Sequence, residues 1–376
     1  METKVRRYDL DWLRVIVFAL LIFYHVGMFF VPWGWHIKNN VIYDWLRWPM
    51  LFLNQWRLPI LFVISGMGTY YALSKRNLRQ FTWERFKRLG IPLFFGMLVI
   101  VPPQIYIERL VNGEFIGNYM AYYETMAFRN GTYPKGDISW HHLWFLPYLL
   151  LFSWILAPIF IYLKNQPTKF MDWVKRLLGT SYGIYLFVIP LFLLESFVEP
   201  FFDITHALID DWFNICFSIT LFFYGFICIA SGNVFWKCLD AIKRKALLIG
   251  LVAFTLLVCR WLFIEKDEWP QHLGEAFLKI VNLWSWILVL FGYAAQWLNT
   301  SSKNLTYANR AVYPFYILHQ TITVIIAYFL IDLEWNFFTK AGILVMGTFG
   351  LSWFIYHFLI LPIRPLHPFF GLKPAR

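Results

Sequence analysis

The sequence predicts an all-α fold: a polytopic membrane protein with about ten transmembrane helices and both termini in the cytosol. Three observations carry that prediction. Of 376 residues, 59% are hydrophobic and only 15% charged, against about 25% charged in an ordinary soluble domain. Apolar runs near the roughly 20 residues needed to cross about 30 Å of hydrocarbon recur along the whole chain. Lys and Arg concentrate in every second connection between those runs, as cytosolic loops do. Aromatic residues reach 22%, which suits lipid contact and the water–lipid boundary. Such a composition excludes disordered, collagenous, coiled-coil and disulfide-scaffold chains.

The runs justify themselves in order. The first, 10–31, follows a short basic N-terminus and contains Arg14 and His25. Its length, and the lack of a small-residue cleavage site behind it, predict a retained helix rather than a signal peptide. The second, 49–73, carries Arg57 and leads into the basic segment 75–88. The third, 90–108, contains Pro102, Pro103 and Gln104, and the polar stretch 109–142 follows it; loops of that length are usually functional or disordered. The fourth, 143–163, opens behind Trp140, His141 and His142 and ends on the basic loop 164–176. An acidic connection separates the fifth, 181–200, from the sixth, 212–231, and the basic segment 237–245 precedes the seventh, 246–264. The eighth, 277–298, the ninth, 312–331, with Pro314 and His319, and the tenth, 341–361, complete the set. No linker or polar domain interrupts them, so residues 1–376 read as one integral-membrane domain.

With the N-terminus in the cytosol, 22 of the 33 Lys and Arg fall on the inner side, seven outside and four within helices, while sixteen of the 22 acids fall outside. The net charge of +11 is thus mostly a topology signal and calls for no nucleic acid, which would need a basic surface domain. Cys216, Cys228, Cys238 and Cys259 show no paired spacing, so neither a disulfide framework nor a metal site is expected. Phosphate-binding glycine loops, zinc-protease helices and EF-hand loops are missing from the sequence. Acceptor triplets for glycosylation start at Asn130, Asn299 and Asn304, two of them on the side assigned to the cytosol.

An ionisable side chain within a span costs roughly 2.5 kcal/mol or more at the bilayer centre, so each one marks a functional hypothesis. Arg14 and His25 are eleven residues apart, which on an α-helix is about 20° past three full turns and about 16 Å of rise. They share a face, with Arg14 near the cytosolic mouth and His25 roughly two-thirds of the way across. Asp11, three residues before Arg14, can pair with it. Arg57 and Gln104 reach a depth near that of His25, His142 opens the fourth helix from the outer side, and His36 lies in the short first outer loop. Blander readings stand beside these: an arginine near a span end can snorkel, His141 and His142 could belong to an interfacial aromatic belt with Trp140, Arg85 and Arg88 could be topology determinants, and His319 could be a core histidine.

A buried imidazole facing outward above a basic inner mouth suits acyl transfer across the membrane. Acyl-coenzyme A exists in the cytosol and carries phosphate charges, for which Arg14, Arg85 and Arg88 are candidates, with Asp11 and His319 beside them. A sugar hydroxyl needs a general base, assigned to His25, and the tetrahedral oxyanion needs a cation, assigned to Arg57. His36, Gln104, Trp140 and His142 are the candidates for the acceptor site.

The same residues carry a family resemblance. Leu10-Asp11 with Arg14 separated from His25 by ten residues, Trp35-His36, Arg57 with Ser65-Gly66, Arg85 and Arg88 before Gly90-Ile-Pro92, His142-Leu-Trp-Phe-Leu146, and Tyr316-Ile-Leu-His319 resemble the integral-membrane acyltransferase 3 family, most of all its glucan-modifying, succinyltransferase-type members. The resemblance spans nearly the whole chain. It implies ten helices with cytosolic ends, essential roles for His25 and Arg14, and donor binding by Arg85 and Arg88. It also implies a bacterial inner-membrane enzyme that binds no cofactor, uses succinyl-CoA or acetyl-CoA as co-substrate and acylates an extracytoplasmic glucan or other carbohydrate. Membrane lipid is the remaining expected partner, and homo-oligomerisation is left open. Succinyl adds a carboxylate that calls for a further cation, with Arg57, Arg260 and Lys279 as candidates; acetyl calls for none. The rival class is a proton-coupled transporter of a small solute, since intramembrane prolines and ionisable groups also fit transport.

Overall fold

The computed structural model describes residues 6–74, 76–129, 131–264 and 269–372. Lys75, the Asn130 triplet start and residues 265–268, with Glu265, Asp267 and Glu268, lie outside those, as do Lys373 and Arg376. Among the described residues ten helices are long and apolar enough to cross a membrane, and no strand forms beyond one isolated bridge between Thr132 and Ile138. They are α1 (Tyr8–Met28), α2 (Asp44–Leu73), α3 (Leu78–Val111), α4 (His141–Asn165), α5 (Gly183–Phe201), α6 (Trp212–Ala230), α7 (Asn233–Phe263), α8 (Trp269–Trp297), α9 (Lys303–Tyr328) and α10 (Phe337–Ile360). All four cysteines are free thiols.

The helices overrun the apolar runs that announce them. Helix α3 starts at Leu78 rather than 90, α7 at Asn233 rather than 246 and α9 at Lys303 rather than 312. Hydropathy registers only the stretch inside hydrocarbon, whereas an α-helix satisfies its own backbone and continues into water until a cap or breaker ends it. Arg85, Arg88, Lys237 and Lys243 therefore sit on helices, not in loops.

The chain folds as two compact units interleaved in sequence. The first holds the described residues of 1–14, 52–83 and 151–305. Within it α7 packs along α8, α8 along α5 and α5 against α6. Helices α2 and α6 cross at two glycines: a Cβ on Gly66 would lie 1.9 Å from the Phe222 carbonyl oxygen, and one on Gly225 would lie 2.0 Å from that of Val63. Close approach of this kind is how helices associate where lipid removes the hydrophobic drive. An ionic cluster occupies the same unit. Lys279 Nζ lies 3.4 Å from both Glu195 and Glu275, Arg260 lies 3.5 Å from Glu275, and the Trp261 indole donates to Glu275 at 3.0 Å.

The second unit holds the described residues of 15–51, 84–150 and 306–376. Its core gathers Val26, Phe29 and Phe30 with Ile37, Ile107, Val324 and Leu344. The turn after α1 folds back on itself, with Asn39 N–H donating to Phe29 O and Tyr43 N–H to Phe30 O, both at 2.9 Å. Two lysines fix this loop. Lys38 donates to Met28 O and to Trp33 O, and burial lowers its pKa to about 8. Lys340, fully buried on α10, donates to Asn39 Oδ1 at 2.6 Å, Asn40 Oδ1 at 3.1 Å and Ile331 O at 3.3 Å. The stretch 109–142 is also ordered. It contains a helix, Tyr119–Thr125, capped by Asn118, and Arg109 clamps it through Asp137 at 2.9 Å and Pro134 O at 2.7 Å.

Candidate active site

The second unit gathers five histidines from four chain segments. Helix α3 prepares the place. Pro102 and Pro103 lack the N–H that would continue the ladder, and the helix widens to π geometry over Phe86–Gly90 and Gly96–Ile100. Such widening is common at functional sites. There Ile100 O accepts from the Thr321 hydroxyl at 2.6 Å and from the Gln104 side-chain amide at 3.4 Å. Helix α9, with Pro314 inside it, presents Tyr316, His319, Gln320 and Thr321 on the facing turns.

Carbonyl partners decide the proton positions here, because a carbonyl oxygen can only accept. His319 Nδ1 donates to Tyr316 O at 2.8 Å, so the neutral ring accepts at Nε2. His25 Nδ1 lies 2.7 Å from that nitrogen, with the two rings 3° from coplanar, and is therefore the donor. The lone pair of His25 is left on Nε2, the position a general base requires. The arrangement, a fixed acceptor holding one imidazole that holds a second, follows the logic by which a carboxylate orients the histidine of a hydrolase triad.

A second branch runs through amides. His142 Nε2 donates to Ile317 O at 3.0 Å, and Tyr316 donates its hydroxyl to His142 O at 2.6 Å. Gln104, fully buried, donates to Thr321 Oγ1 at 2.7 Å and reaches His142 Nδ1 at 3.4 Å. Gln320 donates to Gln104 Oε1 at 3.1 Å and lies 2.9 Å from His36 Nε2. His36 Nδ1 then meets Glu108 Oε2 at 2.5 Å, and Tyr133 donates to Glu108 Oε1 at 2.8 Å. The rings of His142 and His319 meet edge to face at 5.3 Å between centroids.

The structure thus brings together His25, His36, Gln104, His142 and His319. His142 is buried at 7% exposure and hydrogen-bonded inside the unit, so it is not a member of an interfacial belt. Trp140 is half-buried and starts the turn that carries His141 and His142, its carbonyl accepting from Leu143 N–H at 2.8 Å. His319, expected beside the donor, is seated against His25. Arg85 is half-buried and Arg88 exposed on α3, and both act electrostatically on Tyr313. Asp11, Arg14 and Arg57 belong to the first unit. There Arg14 pairs with Asp11 at 3.2 Å as its spacing predicts, Arg6 meets the same carboxylate at 2.8 Å, and Arg57 is 2% exposed. Arg260 and Lys279 already face carboxylates. Glu108, Gln320 and Tyr133 were not among the sequence candidates. Glu108 had a readable signal, since it lies four residues after Gln104 and hence on the same helix face.

Beside His319 lies a cavity of about 190 Å³ between α1, α9 and α10, lined by Phe18, Ile22, Val312, Phe315, Tyr316 and Phe349 among others. No charged side chain lines it.

Fold and site define a multi-pass membrane protein with a hydrogen-bonded, buried histidine pair inside one of its helical units. The chain belongs to the acyltransferase 3 family: the family model described as an acyltransferase domain matches residues 7–357. It is a membrane acyltransferase. It is 23% identical over 353 residues to the glucans biosynthesis protein C of Escherichia coli O6:K15:H31, covering 91% of this chain and 89% of that protein. Similarity to the proteins of the same name from Shigella dysenteriae serotype 1 and Escherichia coli K12 is equal in identity and coverage. No solved structure matches the chain.

Proposed function

We propose that the protein is an acyl-CoA-dependent O-acyltransferase of the bacterial inner membrane that acylates a hydroxyl of an extracytoplasmic glucan or related carbohydrate. The observation that carries this reading is the His319–His25 hydrogen bond, which leaves the His25 Nε2 lone pair to receive a proton. His25 takes the acceptor's hydroxyl proton as the oxygen attacks the thioester carbonyl. The carbon–sulfur bond then breaks, and the thiolate recovers that proton from the imidazolium, giving ester and free coenzyme A. The phosphates of the donor call for Arg14, Arg85 and Arg88. The assignments of Arg14 and Asp11 to the donor and of Arg57 to the oxyanion rest on the sequence reading. His36, Gln104, Trp140 and His142 are assigned to the acceptor. The glucan acceptor is supported by the names of the relatives.

Between the two acyl groups, the uncharged cavity beside His319 supports acetyl. A succinyl carboxylate needs a further cation; of its three candidates, Arg260 and Lys279 are each within 3.5 Å of a carboxylate, and Arg57 is assigned to the oxyanion. The test is purified protein in liposomes with radiolabelled acetyl-CoA or succinyl-CoA inside and a glucan outside. Labelled glucan from wild type and not from His25→Ala is expected. Solute uptake with no covalent label on the glucan would replace the enzyme by the transporter, and label from His25→Ala at the wild-type rate would remove His25 from the chemistry.

A further inference from the structure

We propose that His36, Glu108 and His141 form a binding site for a divalent first-row metal ion of the zinc type. One nitrogen or oxygen from each of the three lies within 4.8 Å of the others. The residues come from three separate segments, namely the loop after α1, the end of α3 and the start of α4. Two imidazoles with one carboxylate are the donor set of many catalytic zinc sites, and imidazole also suits nickel and copper.

Three further observations point to a ligand. First, His141 Nε2 is buried with no hydrogen-bond partner, although an orphan buried nitrogen is costly. Second, His141 holds a φ of +39°, a conformation that non-glycine residues adopt at a cost and that clusters at functional sites. That backbone brings its ring to 4.6 Å from the His36 ring, centroid to centroid. Third, each prospective ligand is held from behind. His141 Nδ1 meets Ser139 Oγ at 2.9 Å, His36 Nε2 meets the Gln320 amide at 2.9 Å, and Glu108 Oε1 accepts from Tyr133 at 2.8 Å. Partners of this kind fix the orientation of metal ligands.

Charge and geometry agree. Arg109 brings one positive charge near the cluster, but it is engaged by two carboxylates, Glu114 and Asp137. Metal–ligand bonds of about 2.1 Å put tetrahedral ligand atoms roughly 3.4 Å apart, so closure from a spread of up to 4.8 Å needs at most about 1.4 Å of side-chain movement. Binding displaces the proton that His36 Nδ1 shares with Glu108, and the Gln320 and Gln104 amides must turn together so that Gln320 Oε1 accepts from both His36 Nε2–H and Gln104 Nε2. Three protein ligands leave a fourth position open to water or a hydroxyl. The site stands independently of the acyl-transfer reading, and its test does not use activity.

Tag-free, full-length protein in detergent, stripped with a chelator, is titrated with ZnCl2 by calorimetry and with CoCl2 by visible absorption. One ion per chain is expected, with the intense bands of four-coordinate cobalt. His141→Ala and Glu108→Gln should each weaken zinc binding at least 100-fold, and Ser139→Ala, which keeps all three ligands, about tenfold. His272→Ala, at another buried orphan ring nitrogen in the first unit, should change nothing. Wild-type protein that takes up no stoichiometric zinc overturns the site. So does a six-coordinate cobalt spectrum indifferent to these variants, or a folded His141→Ala protein with wild-type affinity.

Discussion

At the scale of single residues, the proposed role of His25 as general base turns on which of its nitrogens carries the proton. An isolated imidazole samples both tautomers, and only one presents a lone pair to an acceptor hydroxyl. His319 makes that choice through its own bond to Tyr316 O. Removing it should therefore reduce turnover more than donor affinity. His319→Ala is expected to lower kcat about 10- to 100-fold with KM for acyl-CoA little changed, and His319→Gln, which retains an acceptor, should recover part of the loss. His25→Ala should lose about 10²- to 10⁴-fold, the usual contribution of a general base. Steady-state kinetics of the three variants in liposomes check the order; a raised KM with intact kcat in His319→Ala would return that residue to the donor site. His25 was legible in the sequence because an imidazole so far inside an apolar run is costly unless it has a use. Its pairing with His319 was not legible, since the two are 294 residues apart and the order of helices around a bundle leaves no local trace. Glu108 was passed over for a plainer reason: it sits at the end of an apolar run, where a carboxylate looks like a loop residue, although its spacing from Gln104 places both on one face.

At the scale of elements, backbone geometry rather than side-chain hydrophobicity sets the tolerances. Gly66 and Gly225 are each pressed against a carbonyl oxygen of the partner helix, while Gly68, two residues along α2, would meet nothing within 4 Å as alanine. Gly66→Ala and Gly225→Ala should each destabilise by about 1–3 kcal/mol, the range for overpacking. Gly68→Ala should be neutral or slightly stabilising, because alanine is the better helix former by about 1 kcal/mol. Thermal unfolding in detergent separates these outcomes, and equal midpoints for Gly66→Ala and Gly68→Ala would show that α2 and α6 can part without cost. The connection between α5 and α6 makes a pH prediction. Burial lowers the pKa of His206 to about 4, with Asp211 opposing the shift. Between the ordinary histidine value of about 6.5 and that value, the opened loop takes up a proton that the closed loop refuses. Closure is therefore weakened as pH falls through this window and is unaffected above it. Hydrogen-exchange protection factors across 203–210 should drop from pH 7 to about pH 5, and His206→Gln should flatten the change. The ten runs were legible because lipid demands length and apolarity together. Their ends were not, as α7 shows: 31 residues rise about 46 Å, more than hydrocarbon requires, and the charged turns beyond it read as loop.

At the scale of the whole molecule, the distribution of charge makes one further prediction. Orientation follows from which short loops hold Lys and Arg, since those resist translocation while acidic residues contribute little. The end of α4 and the connection after it carry Lys164, Lys169, Lys175 and Arg176 within thirteen residues, and the basic turns at Arg85 and Arg88 fall on the same side by alternation of the spans. The stretch 112–140, which ends next to His141 and the residues proposed for the acceptor, falls on the opposite side. Acyl transfer to an extracytoplasmic sugar needs this polarity: donor from the basic side, acceptor from the other. In a background with all four cysteines replaced, Ile116→Cys, at a residue 93% exposed, should react with a membrane-impermeant maleimide added outside intact cells. Gln166→Cys, on the exposed turn after α4, should react only after the membrane is opened. The reverse pattern would put the histidine cluster's loops in the cytosol, on the same side as any acyl-CoA. The protein would then acylate a cytosolic acceptor, and charge counting would have failed for a chain in which 22 basic residues stand against seven.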